Sequence, residues 1–346
     1  PDPEYVEPVG PQAYSESASY DEATAKAGPE EMIPGLKAAI AGAEDKNLVS
    51  AGFFERGASV SVMGNKRGNF GYTTRTSASY SATVRTRDGS GSGWASAEGH
   101  RMRDVDAVAV ARVAIEKAVL SQKPRRIEPG KYTVILEPAA VSDMVTQILY
   151  SFDARDAEEG RSLLTKKGGG TRLGEKMFSE KITMRGDPFD PRRPGMPWTY
   201  DSLPARKMTW IDKGVVSNLG YSRYWAKKKN AEPTPSPGSD LIFDGENNTL
   251  DDLITSTERG LLVTRFWYIR DVNPQTGQLT GLTRDGLFMV EKGKIAYPIM
   301  NLRWNESPAN VLANVEMLSR PVLVGGNVVP GMKAHDFNFT SVSDAV

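Results

Sequence analysis

The sequence has no cysteine among its 346 residues and only two histidines, His100 and His335. The absence of cysteine excludes disulfide bonds, thiolate nucleophiles and cysteine zinc sites. It also agrees with a reducing compartment, and we expect a cytoplasmic location. With two histidines, a metal site would need carboxylates as most of its ligands. The histidines do not form the pair one helical turn apart that catalytic zinc sites use.

Long apolar runs and net charge are also missing. No apolar run approaches the ~18 residues that cross a bilayer, and no signal-peptide pattern follows Pro1. The 43 basic residues balance the 43 acidic residues, so no global attraction to nucleic acid or an anionic membrane exists. We therefore expect neither a membrane nor a specific nucleic acid as a partner. Because the sequence starts with Pro1, we interpret it as a processed or truncated product.

The composition that is present, 39% hydrophobic and 25% charged residues, is typical of a globular protein. The length predicts about two domains. Residues 1–28 are rich in Pro, Ser, Glu and Tyr without periodicity, which indicates a linker or arm. We place a central α+β domain at 29–125 and a C-terminal β-rich domain at 126–346. The boundary falls in the basic, proline-bounded segment 121–130.

Within the central domain, alternating β-branched, aromatic and small residues over 48–87 predict an antiparallel meander. A short helix over 29–42 precedes it, and Asp104 is predicted to cap a helix over 105–120. The Gly/Ser-rich tract 89–99 lacks the Lys-Ser or Lys-Thr of a phosphate-binding loop. We interpret that tract as a flexible hairpin.

The clearest helix signal begins at Pro138, which cannot lie inside a helix. Ser142 and Asp143 follow in the first turn, where side-chain acceptors meet free backbone N–H groups. The apolar residues follow one helical face: Val141, Met144, Val145, Ile148, Leu149 and Phe152. Charged residues then crowd the next seven positions: Asp153, Arg155, Asp156, Glu158 and Glu159. They predict either a solvated helix end or a carboxylate site for a hard cation.

Strands dominate the remaining sequence, and the helices are isolated. Asn248 or Thr249 is predicted to cap a short helix that Gly260 ends, and Ser307-Pro308 opens another. The tail after Arg320 predicts one or two more strands. Strands are predicted at 131–137, on both sides of a turn at 212–214, and at 261–272, 282–291 and 294–304. This pattern indicates an α+β fold with mainly antiparallel sheets and a few packed helices.

One predicted strand carries basic and aromatic residues together, including Arg265, Trp267 and Tyr268. A loop at 283–286 with Arg284 and Asp285 belongs to the same hairpin region, so the two segments together are a candidate peptide groove. Ordinary sheet packing of the aromatic residues is the alternative interpretation.

Four segments carry a resemblance to a known family: ILYSFDARDAEEG, FWYIRDVNPQTGQLTGLTRDGLFMVEKGKIAYPI, NESPANVL and HDFNFTSVSDAV. Together they resemble the TldD/TldE (PmbA) family, first described as modulators of DNA gyrase and then regarded as peptidases. The similarity covers 131–346 as the family's C-terminal domain and about 30–125 as its central domain. The resemblance implies that the family's N-terminal domain is missing from this sequence.

TldD-type subunits of that family carry an HExxxH zinc motif shortly before a Glu-Gly pair. Alignment on 159–160 puts Ser151 at the first His, Phe152 at the Glu and Asp156 at the second His. The further cysteine ligand has no counterpart. The resemblance therefore implies a TldE/PmbA-type subunit without a metal site or catalytic residues of its own.

The expected function is a non-catalytic subunit of a heterodimeric TldD/TldE-type metallopeptidase. The resemblance implies that zinc belongs to the TldD-like partner and that the pair processes or degrades unfolded peptides in an enclosed site. A homo-oligomeric binding or scaffold protein of the same fold is one alternative. An enzyme with a carboxylate centre around Asp153, Asp156 and Glu158 is another.

Overall fold

The structure, a computed structural model, describes residues 2–343. Pro1 and the last three residues of the HDFNFTSVSDAV segment lie outside this range. In chain order, the α-helices of the described range are α1 (Glu22–Lys26), α2 (Pro29–Glu44), α3 (Ala107–Leu120), α4 (Pro138–Leu149), α5 (Ala154–Glu158), α6 (Arg223–Lys229), α7 (Leu250–Thr255) and α8 (Pro308–Ala313).

The strands of the described range form three sheets. In chain order they are β1 (Leu48–Gly64), β2 (Phe70–Thr86), β3 (Ser92–Gly99), β4 (Gly130–Leu136), β5 (Met184–Gly186), β6 (Met208–Asp212), β7 (Val215–Val216), β8 (Leu241–Phe243), β9 (Arg259–Asn273), β10 (Gln278–Glu291), β11 (Lys294–Pro298), β12 (Leu302–Glu306), β13 (Val315–Leu318), β14 (Val322–Val324), β15 (Asn327–Val329) and β16 (Met332–Val342). The prediction of an α+β fold with mainly antiparallel sheets is confirmed.

The first sheet is the predicted antiparallel meander, with the strand order β1-β2-β3. β1 and β2 form a long hairpin whose register runs from Leu48 opposite Thr86 to Gly64 opposite Phe70. α3 packs on the sheet through small buried residues such as Ala111 and Ala114. This helix starts two residues later than predicted, because Asp106 rather than Asp104 accepts a hydrogen bond at its N-terminus.

The Gly/Ser-rich tract is not the flexible hairpin that we predicted, because most of it forms β3. A Cβ atom added to Gly93 would lie 2.2 Å from the backbone oxygen of Ala114 and 2.5 Å from the backbone nitrogen of Ala118. The backbones of α3 and β3 are therefore in direct contact. Here glycine permits close packing of a helix on a strand rather than chain flexibility.

The second sheet closes on itself. β9 pairs with β10, β10 with β12, β12 with β16, β16 with β4, and β4 returns to β9 through a parallel pairing. These five strands form a closed ring, which we call the ring. β11 and β13 extend it at β10 and β16. Ring closure removes the free edges that an open sheet of these strands would expose.

Aromatic side chains fill the ring. Phe266 on β9 stacks on Phe337 of β16 with ring centroids 5.6 Å apart, although these two strands are not paired with each other. Trp304 on β12 contacts both, at 4.9 Å and 5.7 Å. All three side chains are at most 2% exposed. Contact across unpaired strands places them in the interior, where such rings supply most of the apolar burial.

α4 lies between the ring and a third sheet of short strands in the order β14-β15-β8-β5-β6-β7. The helix is capped by no side chain, and Pro138 occupies its first turn as predicted. Ser142 and Asp143, predicted to bind free N–H groups of this turn, contact other segments. The Nδ2 of Asn327 donates to Ser142 Oγ, and the backbone N–H of Phe266 donates to an oxygen of Asp143.

Further predictions were wrong, since the single strand predicted at 294–304 is divided into β11 and β12. Gly260 does not end the helix that Thr249 caps; α7 stops at Thr255, and Gly260 lies in β9, where an added Cβ would meet the backbone oxygen of Thr133 at 2.8 Å. The segment after Arg320 forms three strands rather than one or two, because β14 and β15 are only three residues long and carry no visible period. None of the helices in the described range combines the length and hydropathy that a bilayer crossing requires.

Replacement of Gly93 by alanine tests the contact between α3 and β3. We expect Gly93→Ala to lower the free energy of unfolding by about 1–3 kcal/mol, because the new methyl group overpacks two backbones. Urea denaturation at constant pH measures this change. Gly10→Ala is the matched control, since among the described residues no atom beyond its chain neighbours lies within 4 Å of its added Cβ. Equal stability of the two variants would contradict the packing that we describe.

Candidate functional site

The three positions aligned with the zinc motif follow the C-terminus of α4. The α-helix ends at Leu149, residues 150–152 continue as a 3-10 turn, and Asp153 then caps α5 by accepting a hydrogen bond from the N–H of Asp156. Ser151 and Asp156 line a cavity of about 140 Å³ beside the β9–β10 turn. Phe152 is fully buried and belongs to the apolar core. The break in the helix thus directs these three side chains to different environments.

Three of the acidic residues beyond Phe152, namely Asp156, Glu158 and Glu159, are paired with cations. Asp156 binds Arg161 at 2.7 Å, and Glu159 binds the same guanidinium at 2.6 Å. Glu158 lies 2.5 Å from the ammonium of Lys229 and accepts a hydrogen bond from the Tyr221 hydroxyl. These pairs form the charged helix end that was one of the two sequence interpretations.

The donor set at these positions does not fit a zinc ion. Ser151 is a poor zinc ligand, Phe152 offers no donor atom, and the carboxylate of Asp156 already binds Arg161. Within residues 2–343, no group of three or more His, Cys, Asp or Glu side chains is arranged to hold a metal. Asp153, Asp156 and Glu158 therefore do not converge on a common cation position.

The candidate peptide groove lies on β9 and β10, where Arg265 is directly opposite Arg284. The Arg284 guanidinium lies 4.0 Å from the centre of the Trp267 ring, and Arg265 lies 4.6 Å from that of Trp94. Each arginine also places its Nε 3.7 Å from the same carboxylate oxygen of Asp285. Two like charges across a ladder repel each other, and the shared carboxylate offsets that repulsion.

Residues 283–286 are part of β10, in agreement with the strand predicted at 282–291, and do not form a separate loop. The pairing with β9 shifts between Arg284 and Leu287, which makes this segment a β-bulge. Asp285 has a φ of 55° and is only 2% exposed. Its other carboxylate oxygen accepts a 2.6 Å hydrogen bond from the hydroxyl of Ser92 on β3. The bulge thus turns a buried aspartate from the ring toward the first sheet.

The predicted groove residues therefore separate into two groups. Arg265, Arg284 and Asp285 form a cluster between the ring and the first sheet, whereas Tyr268, 52% exposed, faces solvent beside Arg270. Trp267 lies between the two groups, in contact with Arg284 and with Tyr268. Trp94 belongs to the cluster but was missed, because its glycine-rich neighbours indicated a flexible segment. The sequence signal that could have identified Trp94 is an aromatic residue within the alternating pattern of that tract, which is typical of a strand.

A cleft of about 270 Å³ adjoins this cluster between β3 and α4. Serines 79, 81 and 96 line one wall, and Asp143 and Arg265 the other. Burial raises the pKa of Asp143 to about 6, while the N–H of Phe266 and the charge of Arg265 act in the opposite direction. The cleft therefore combines hydroxyl groups with one carboxyl that titrates in mildly acidic solution.

Comparison with known proteins defines the class of the chain. Residues 129–341 match the profile of the PmbA/TldA metallopeptidase C-terminal domain, and residues 16–122 match that of the central domain. The chain belongs to the PmbA/TldD metallopeptidase family, in agreement with the sequence motifs.

Individual relatives are distant. A metalloprotease of Archaeoglobus fulgidus is 23% identical over 199 residues, covering 54% of this chain and 45% of that protein. A metalloprotease of Methanothermobacter thermautotrophicus is 24% identical over 221 residues, covering 58% and 45%. The match thus spans less than half the length of each relative.

Solved structures share the fold over almost the whole chain. A proposed modulator of a DNA gyrase from Thermotoga maritima superposes with a TM-score of 0.87 at 17% identity, covering 98% of this chain and 81% of that one. TldE from Thermococcus kodakarensis gives 0.85 at 21% identity, covering 98% and 80%. At these identities the likeness establishes the fold and not the activity.

The role of Asp285 is tested by two substitutions. We expect Asp285→Ala to cost about 3 kcal/mol of folding stability, because it leaves Arg265 and Arg284 facing each other and Ser92 without its acceptor. Asp285→Asn should cost clearly less, since asparagine tolerates the positive φ and still accepts the hydroxyl. Thermal and urea unfolding provide the measurement. Equal, small losses in both variants would show that the cluster does not stabilise the fold.

The raised pKa of Asp143 predicts a pH-dependent stability. The folded chain holds the proton up to about pH 6, whereas the ordinary value is 3.8, so stability falls as the pH rises across this window by at most about 3 kcal/mol. Asp143→Asn keeps an acceptor for the Phe266 N–H and removes the titration. The stability of the variant relative to the unmodified chain should therefore increase from pH 4 to pH 7. Parallel curves in urea denaturation would refute the shift.

Proposed function

We propose that this chain is the non-zinc, TldE/PmbA-like subunit of a heterodimeric metallopeptidase that processes or degrades unfolded peptides in the cytoplasm. The observation that carries the proposal is the replacement of the zinc motif by Ser151, Phe152 and Asp156, with Phe152 in the core and Asp156 bound to Arg161. On this proposal the zinc belongs to a TldD-like partner. The chain itself encloses the substrate and holds the partner.

The clefts between the two halves of the chain support a role in peptide binding. β3 and β14 are edge strands of the first and third sheets, and their residues line a cavity of about 470 Å³ with α3. Its apolar lining includes Ala95, Ala97, Val113 and Leu323. Edge strands bind extended peptides through backbone hydrogen bonds, which suits substrates of varied sequence.

An exposed apolar surface supports a stable protein partner. Val60, Val62, Phe70 and Tyr72 lie on one face at the end of the β1–β2 hairpin and are 58–64% exposed. Val62 is directly opposite Tyr72, so the side chains form a continuous patch. Contiguous exposed apolar groups of this kind commonly mark protein interfaces.

Purification of the full-length protein from its native host tests the subunit assignment. We expect co-elution with a second chain that carries an HExxxH motif, together with cleavage of an unstructured peptide by the complex. Val62→Asp and Tyr72→Asp should weaken this association if the hairpin patch contacts the partner. A homo-oligomer free of such a chain would instead establish the scaffold alternative.

Metal analysis of the isolated chain tests the absence of a centre of its own. We expect no stoichiometric zinc or manganese, and we expect Asp156→Ala to lower stability by no more than about 1 kcal/mol, because its ion pair with Arg161 is solvent-exposed. Asp251→Ala, which removes another exposed carboxylate, is the control. Stoichiometric metal that Asp156→Ala abolishes would replace our proposal with the carboxylate enzyme.

A further inference from the structure

A second cavity, separate from the zinc-motif positions, carries unpaired positive charge. It has a volume of about 310 Å³ and lies between β2 of the first sheet and two irregular segments, 186–206 and 235–240. Three arginines line it, Arg75, Arg193 and Arg206, against a single carboxylate, that of Asp240. The charged groups of this lining thus favour an anion.

The three arginines differ in what they bind within the described range. Arg193 already has two partners in the protein: it donates a hydrogen bond to the carbonyl of Gly326 and pairs with Asp240. Arg75 donates one hydrogen bond, to the carbonyl of Pro194 at 3.2 Å. Arg206 likewise donates one, to the carbonyl of Pro233 at 2.9 Å. A guanidinium has five N–H donors, so most donors of Arg75 and Arg206 remain available.

The partial burial of Arg75 favours the binding of an anion by its available N–H donors. This side chain is half-buried, and burial, followed by the neighbouring charge of Arg193, lowers its pKa. A guanidinium in such surroundings gains more from an anionic partner than an exposed one does. Asp240, the carboxylate whose charge acts on Arg75, is already paired with Arg193.

The rest of the lining combines aromatic and apolar side chains with the hydroxyl groups of Thr199, Ser236 and Ser239. Trp198 forms part of the wall and is fixed by edge contact with Tyr14, at 5.5 Å between ring centroids. Tyr200, which is 99% exposed, stands at the rim. The loop that carries both rings is held by its own backbone hydrogen bonds, from Thr199 to Leu203 and from Ala205 to Pro197. The aromatic rings are placed to contact the last side chain of a peptide, and the neighbouring guanidinium groups to bind its carboxylate.

We propose that this cavity binds the C-terminal carboxylate of a peptide, with Arg75 and Arg206 as the donors and Trp198 and Tyr200 in contact with its last side chain. The choice of a peptide as the ligand rests on the proposed function. The arginines bind the carboxylate through charge-assisted hydrogen bonds, which are short and directional. The site thereby distinguishes a free chain end from an internal segment.

Fluorescence anisotropy with the isolated full-length chain tests this site without the partner. The probes are an N-terminally labelled unstructured peptide that ends in Phe, as the free acid and as the C-terminal amide. We expect the acid to bind roughly tenfold more tightly or better. Arg75→Gln combined with Arg206→Gln should bring this ratio close to one, whereas Arg126→Gln, an exposed arginine outside the cavity, should leave it unchanged.

Further outcomes overturn the proposal or separate it from the subunit assignment. Equal binding of acid and amide overturns it, and so does displacement of the acid peptide by inorganic phosphate at lower concentrations than by acetate, which would define a phosphate site. Arg75→Lys with Arg206→Lys retains the charges and should keep part of the preference, and a circular dichroism melt verifies that each variant is folded. Because the binding assay contains no partner subunit, neither result tests the subunit assignment.

Discussion

Burial of α4 is the constraint on which the rest of the structure depends. The helix lies between the ring and the third sheet, and more than half of its residues are buried. Phe152, just beyond its end, is buried in the same core. Core packing therefore fixes the chain direction at Ser151 and Asp156. A glutamate at position 152 would put a carboxylate into this core, so the packing around Phe152 disfavours the glutamate of a zinc motif at this position.

The first sheet and the ring have separate apolar cores, and polar contacts join them beside the packing of Trp94 on the core of the ring. Ser92 binds Asp285, Lys117 pairs with Glu137 at 2.6 Å, and Glu98 accepts the N–H of Gly326. The Lys117–Glu137 pair is largely buried, with 14% and 12% of its side chains exposed. Such contacts are directional, so they fix the relative orientation of the two parts more strictly than apolar packing does.

The sequence predicted those features that a local pattern encodes. The apolar period and Pro138 were sufficient for α4, and alternation was sufficient for the long hairpins. The role of Asp143 was not predictable, because its partner, Phe266, lies 123 positions away. The structure around Gly93 was predicted wrongly for a different reason: glycine occurs both where two backbones pack closely and where the chain is flexible. Closure of the ring depends on the parallel pairing of β4 with β9, for which no short-range signal exists. Strands of two or three residues in the third sheet are too short to show a period.

The order of strands in the ring has a consequence for folding. β16 follows every other strand of the ring in the chain, yet it lies between β12 and β4. Until it is added, β4 and β12 each keep an unpaired edge, and the aromatic interior lacks Phe337. The pairing of β16 with β4 joins segments about two hundred residues apart, and long-range pairing of this kind slows folding. During synthesis the incomplete ring exposes unpaired strand edges that can aggregate. We therefore expect the nascent chain to depend on chaperones more than the stability of the complete ring suggests.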